Sequence, residues 1–285
     1  MGGSVSYIDD VIKDYFFVEV NGVSLRAYDS VRLKSYTNDL TLVFIHGSPG
    51  QISNWKYLID YFKEYYRVIA YDLRGYGMSD KPLVVSMDDY IKDLRELMEV
   101  LKVNNGNAVL IGHSFGGMVA QEYASRYGVR GLVLIGSLVR THPDIIDKIV
   151  WRLPPFLWRK LLFTENPLTK VLYRKLFFSP KTPESIYEEF MRDNKDYIES
   201  LPPHVFRYMK YFVNYDASKS VSKIKCPTLI IVGSDDKVTP PEQSKELHTL
   251  IPNSKLVVIP NAGHLVLYEK PQELIKEIMN FITKV

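Results

Sequence analysis

Short runs of β-branched and aromatic residues alternate with stretches of helical period along most of this chain. Near-continuous apolar runs stand at 42–45, 68–71, 108–111, 132–135, 228–232 and 256–259. Runs without polar alternation suit strands buried on both faces, which is the habit of a parallel sheet. Two further runs, 15–20 and 24–28, flank Asn21-Gly22, a pair that accepts the positive φ of a tight hairpin turn. Helical periodicity fills 52–65, 86–101, 115–127, 240–250 and 271–284, with Pro240 and Pro271 where a helix begins and a missing N–H costs nothing. The pattern predicts an α/β fold: a mostly parallel sheet of about eight strands with helices on both faces.

The alternation fails once. Between Val139 and Tyr215 no apolar run reads as a strand, aromatics and basic residues are dense, and prolines at 143, 154, 155, 167, 180, 183, 202 and 203 cut the segment into short helices. The expected domains are therefore a core of residues 1–138 and 216–285 and a helical insertion over 139–215. Its aromatics either line a pocket or form the insertion's own core; Trp151, Trp158 and Phe178 are the candidates for the pocket.

At 285 residues the chain is long enough for one large domain with such an insertion. Charged residues make up 24% and hydrophobic ones 46%, with a net charge of +3 and no basic block, so nucleic acid is not an expected partner. The single Cys226 has no disulfide partner within the chain and begins an apolar strand, which suggests a buried, inert thiol. No stretch approaches the roughly 18 apolar residues of a membrane span. Residues 1–6 fit the short N-myristoylation pattern, but Asp9, Asp10 and Asp14 interrupt any signal-peptide core. The expectation is a cytoplasmic monomer or homodimer.

The chemistry concentrates at strand ends. Gly112-His113-Ser114-Phe115-Gly116 follows the 108–111 run and opens a helical stretch. Gly-x-Ser-x-Gly in that setting is the nucleophile elbow of α/β-hydrolases: a sharp strand-to-helix turn lifts the serine oxygen above the sheet edge. Upstream, His46-Gly47-Ser48-Pro49-Gly50 turns away from the 42–45 run. In that fold one oxyanion-hole N–H comes from this loop and one from the residue after the nucleophile, here the amides of Ser48 and Phe115. Farther on, Ser234-Asp235-Asp236 and Gly263-His264 each follow a strand, in the order Ser, Asp, His. An imidazole can take a serine proton when its other nitrogen is held by a buried acceptor. Asp236 is assigned that task, with Asp235 a solvated or turn-capping neighbour. His46 and His113 are read as structural. No spacing suggests a metal site, and no glycine-rich phosphate loop implies a nucleotide cofactor.

With these residues in place, the chain from about residue 20 onward resembles the capped α/β-hydrolase superfamily. His46-Gly47-Ser48-Pro49 looks like its oxyanion loop, and Asp72-Leu73-Arg74-Gly75-Tyr76-Gly77-Met78-Ser79 like a turn that packs near its active site. The insertion would be the family's cap. Members include esterases, lipases, carbon–carbon bond hydrolases, lactonases, perhydrolases, prolyl iminopeptidases, epoxide hydrolases and haloalkane dehalogenases. The last two use an aspartate nucleophile, and serine at position 114 argues against both. Ser48 departs from the His-Gly-Gly-Pro-Gly loop typical of the iminopeptidases. The resemblance implies a Ser114–Asp236–His264 serine hydrolase without cofactor, acting on small or medium carboxylic esters. Carbon–carbon hydrolase, lactonase and iminopeptidase activities stay open, with Glu165, Glu184, Glu188 or Glu189 available to hold a substrate amine. So does a ligand receptor that has kept the triad.

Overall fold

The computed structural model describes residues 14–141 and 167–285. Eight strands form one sheet: β1 (Tyr15–Val20), β2 (Val23–Asp29), β3 (Thr41–Ile45), β4 (Arg67–Tyr71), β5 (Ala108–His113), β6 (Gly131–Ile135), β7 (Thr228–Gly233) and β8 (Ser254–Ile259). Their order is β1-β2-β4-β3-β5-β6-β7-β8. β1 and β2 run antiparallel to their neighbours, and the rest of the sheet is parallel. The hairpin closes at Asn21 (φ 46°) and Gly22 (φ 74°), both left-handed as a two-residue turn of this kind requires.

Every residue of β3, β5, β6 and β7 is buried. Successive side chains of a strand point to opposite faces, so each strand feeds two cores. Val43 and Ile45 join the face covered by α2 (Met87–Val100) and α3 (Phe115–Tyr127). Leu42 and Phe44 join the face covered by α1 (Lys56–Phe62) and the C-terminal helix, residues Pro271–Ile282. β8 departs from the expectation of burial on both faces: it pairs only with β7, and of its residues Ile259 alone is buried. An apolar run is also compatible with a sheet edge, where one flank has no partner strand. Cys226 is half-buried rather than buried, and burial pushes its thiol up.

Between β6 and β7 the described residues form α4 (Pro167–Phe177), α5 (Glu184–Ser200), a 3-10 helix (Val205–Phe212) and α6 (Ser218–Val221). The two ends of the segment are held together: Thr141 N–H donates to the Tyr215 carbonyl (3.0 Å) and Ala217 N–H to that of Val139 (2.9 Å). After β7 come α7 (Pro241–Leu250), β8, the short α8 (Val266–Glu269) and α9 (Pro271–Ile282).

β3 is the strand at which the order turns back, with β4 on one side and β5 on the other. Loops leaving neighbouring parallel strands at such a point diverge and open a crevice beyond their C-terminal ends.

Candidate active site

Ser114 sits in that crevice. Its backbone is left-handed (φ 52°, ψ −119°), a conformation that costs a non-glycine residue about 1–3 kcal/mol and persists only where the surroundings enforce it. The enforcement is visible. Ser114 N–H donates to the Ile135 carbonyl (2.9 Å), tying the turn to the end of β6. A Cβ at Gly116 would lie 2.1 Å from the Ile45 carbonyl oxygen, and one at Gly112 would lie 2.4 Å from that of Gly116. Only glycine lets strand, turn and helix pass so closely. Phe115 is the first residue of α3, so its amide has no partner within the helix.

Asp236 and His264 meet across two strand ends. Asp236 Oδ2 lies 2.9 Å from His264 Nδ1, and both side chains are buried. Oδ1 accepts from the amides of Val238 and Thr239, each at 2.9 Å. The Thr239 hydroxyl lies 2.9 Å from Oδ2 and 2.8 Å from the Gly136 carbonyl. Burial alone would raise the Asp236 pKa; the imidazole and these donors override it and hold the carboxyl below its ordinary range. His264 Nδ1–H is thereby committed to the carboxylate, which leaves Nε2 for other work.

Asp235, by contrast, is only half-buried and turns away, accepting the Ser179 hydroxyl at 2.5 Å. It ties the β6–β7 segment to the loop after β7 while staying partly open to solvent. The remaining histidines of the crevice are committed to the backbone. His113 Nε2–H donates to the His264 carbonyl (2.9 Å), and burial lowers its pKa to about 3. His46 Nδ1–H donates to the Gly47 carbonyl (2.7 Å), and its Nε2 accepts from Leu73 N–H (3.0 Å). Its pKa is also lowered by burial. The turn after β4 is fixed in the same way: Asp72, fully buried, is paired with Arg26 (2.6 Å) and accepts from the amides of Ile52 (2.8 Å) and Met78 (2.7 Å).

Ser114 and His264 line one cavity together with residues 47–50, Asn54 and His113. The opposite wall is aromatic, with Tyr173 and Phe177 from α4 and Phe190 from α5; Leu265, Leu267 and Tyr268 complete it. The Phe177 ring lies 6.2 Å from that of His264. The Ser48 hydroxyl is 2.7 Å from that of Tyr76, while residue 48 itself lines the cavity beside Ser114.

Of the expected pocket aromatics, Phe178 is a correction: it is 1% exposed and packs against Tyr187 and Phe190 instead of lining the cavity. Trp151 and Trp158 lie outside the described residues, as does Glu165. Glu184 pairs with Lys170 (2.6 Å) and Arg174, Glu189 pairs with Lys56 (2.5 Å), and Glu188 is exposed. Thr239 and Gly136 escaped the sequence reading, although a hydroxyl three residues after the acid is a recurrent turn-forming spacing. Among the described residues, no group of three or more His, Cys, Asp or Glu could hold a metal ion.

A family model described as the alpha/beta hydrolase fold matches residues 41–271. A proline iminopeptidase of Saccharolobus solfataricus is 28% identical, covering 95% of this chain and 97% of its own length. A 2-hydroxy-6-oxo-2,4-heptadienoate hydrolase of Pseudomonas putida is also 28% identical, covering 85% of this chain and 88% of its own length. Among solved structures, a thermophilic esterase from Thermogutta terrifontis superposes with a TM-score of 0.78 at 26% identity, covering 95% of this chain and 98% of that one.

Proposed function

Because this chain belongs to the alpha/beta hydrolase fold family, we propose that it is a serine hydrolase cleaving carboxylic esters of small or medium acyl chains, with Ser114, Asp236 and His264 as its triad. The observation that carries this reading is the strained Ser114 opening into the same cavity as a histidine whose Nδ1 is held by a buried aspartate. His264 Nε2 takes the Ser114 proton as Oγ attacks the ester carbonyl. The amides of Ser48 and Phe115 receive the oxyanion, and His264 returns the proton to the departing alcohol. Water, deprotonated by the same imidazole, then attacks the acyl-enzyme and frees Ser114 with release of the acid. We assign residues 139–215 the role of a cap that shapes the acyl pocket.

The choice of ester over amine-bearing substrate rests on the cavity's chemistry. Its lining among the described residues is neutral, with no carboxylate to pair a substrate amine. Glu184 and Glu189 are already paired with cations. The similarity to a proline iminopeptidase nevertheless supports a second reading, which a substrate panel separates. We expect turnover of p-nitrophenyl esters, with less or none of proline anilide and of a vinylogous diketone. Ser114→Ala should remove that turnover by several orders of magnitude, and a fluorophosphonate should label Ser114. Activity on proline anilide without ester turnover would transfer the assignment to the peptidase reading.

A further inference from the structure

Glu269 is a half-buried carboxylate with no part in the chemistry just described. It ends α8, and its two oxygens face two different parts of the molecule. Oε2 accepts from the amide of Gly263 (2.8 Å), the residue before the base. Oε1 accepts from the amide of Ser179 (2.8 Å) and from the Thr182 hydroxyl, both in the stretch that joins α4 to α5. Two more bonds close the same seam: Leu265 N–H donates to the Phe177 carbonyl (3.1 Å), and the Ser179 hydroxyl donates to Asp235 (2.5 Å). The contact is main chain against main chain. A Cβ on Gly263 would lie 2.7 Å from backbone atoms of Phe177, Phe178 and Ser179. Neither strand of the seam can therefore shift without the other, and Phe177, which lines the cavity, belongs to it.

A carboxylate has acceptor capacity on both oxygens, and here each oxygen receives at least one N–H. An amide in its place would present an NH₂ to one of those donors and break one side of the seam. We propose that Glu269 is a positioning residue that fixes the loop carrying His264 and the Phe177 wall of the acyl pocket through one side chain. Acyl-chain selectivity and the reactivity of Ser114 are coupled by it. This inference rests on the esterase reading above.

Glu269→Gln and Thr182→Val separate the two sides, the second variant cutting only the contact toward α5. Two quantities are measured: the ratio of kcat/KM for long and short p-nitrophenyl esters, and the rate of fluorophosphonate labelling at Ser114, with a melting temperature for each variant. Glu269→Gln should move the ratio and slow labelling, each by about tenfold, the scale that coupling through packed networks reaches. Thr182→Val should move the ratio a few-fold and leave labelling near the wild-type rate. A folded Glu269→Gln protein with both quantities unchanged overturns the inference. If that variant does not fold, an unchanged ratio in Thr182→Val overturns it instead. Loss of labelling in Ser114→Ala beside an unchanged Glu269→Gln profile sinks this coupling alone, whereas full activity in Ser114→Ala sinks the esterase reading beneath it.

Discussion

The two walls of the cavity at Ser114 are built on different principles. On the sheet side, β3, β5, β6, β7 and β8 are locked in one parallel ladder, with Ile45 opposite Gly112, His113 opposite Ile135, and Gly233 opposite Ile259. Loops leaving such a ladder share a common edge, so Ser114, Asp236 and His264 inherit their spacing from backbone hydrogen bonds. Tyr173, Phe177 and Phe190 come instead from two helices held largely through side chains: ring contacts such as the 4.3 Å stack of Tyr173 on Phe177, the polar bonds around Glu269 and Asp235, and the pairing of Lys56 with Glu189 and Asp193 of α5. Reaction chemistry tolerates little displacement, whereas a selectivity wall can be rebuilt by exchanging side chains. The division predicts that damage on the sheet side removes rate and damage on the helical side redistributes it.

The sharpest test of that division lies in two adjacent aspartates. Asp236→Asn should lower turnover on the order of 10³–10⁴-fold, because the imidazole loses the acceptor that fixes its tautomer. Asp235→Asn should cost little, since an amide oxygen can still accept the Ser179 hydroxyl. Turnover of the two variants on one short ester is the measurement, and equal losses would erase the distinction between the walls.

The same division decides what was legible in the sequence. Buried parallel strands advertise themselves as apolar runs, and the residues that must be glycine, such as Gly112 and Gly116, stand beside Ser114. Strand positions and the order of Ser114, Asp236 and His264 could therefore be read directly. The aromatic wall could not. Phe177 and Phe178 are adjacent and chemically identical, yet one lines the cavity and the other is buried against α5. Which way each faces is set by how α4 meets α5, and helix–helix geometry is a tertiary property that composition does not encode. The second role of Asp235 was illegible for a related reason: its partner Ser179 is distant in sequence, so nothing local marks a partly solvated turn residue as a tether.

That pair of phenylalanines supplies the next test, of smaller effect. Phe178→Ala should destabilise the fold by about 3–5 kcal/mol, the usual range for deleting a buried ring, with the acyl preference unchanged. Phe177→Ala should lose less stability and shift the ratio of long to short ester turnover by about 10- to 100-fold, as expected for a pocket wall that contacts substrate methylenes. Melting temperatures and kcat/KM ratios decide it. A Phe178→Ala protein with altered selectivity would mean that the wall extends one layer deeper.

The smallest expected effect concerns pH, and it isolates the sheet side. His113 and His46 lie beneath the crevice as neutral imidazoles, each bonded to backbone. Burial lowers both pKa values, that of His113 to about 3. In the unfolded chain each would titrate near the ordinary histidine value of about 6.5. Below that pH the unfolded state takes up protons that the folded state refuses, so stability falls as pH falls. The loss accrues at about 1.4 kcal/mol per pH unit for each imidazole, and for His113 it continues down to its folded value. Asp236, held below the ordinary carboxylate range, adds a loss of the same sign only in stronger acid, below about pH 4. Between about pH 6 and pH 4 the histidines therefore lower stability on acidification, against a gain of opposite sign from Glu269 and Asp93, whose carboxyls burial raises. His113→Asn should be less stable than the wild type at neutral pH, having lost the imidazole that supports the His264 carbonyl, but its stability should decline less steeply on acidification. Urea unfolding across that interval gives both slopes. Identical slopes would mean that His113 is protonated in the folded protein, and the crevice floor would then carry a positive charge directly beneath His264.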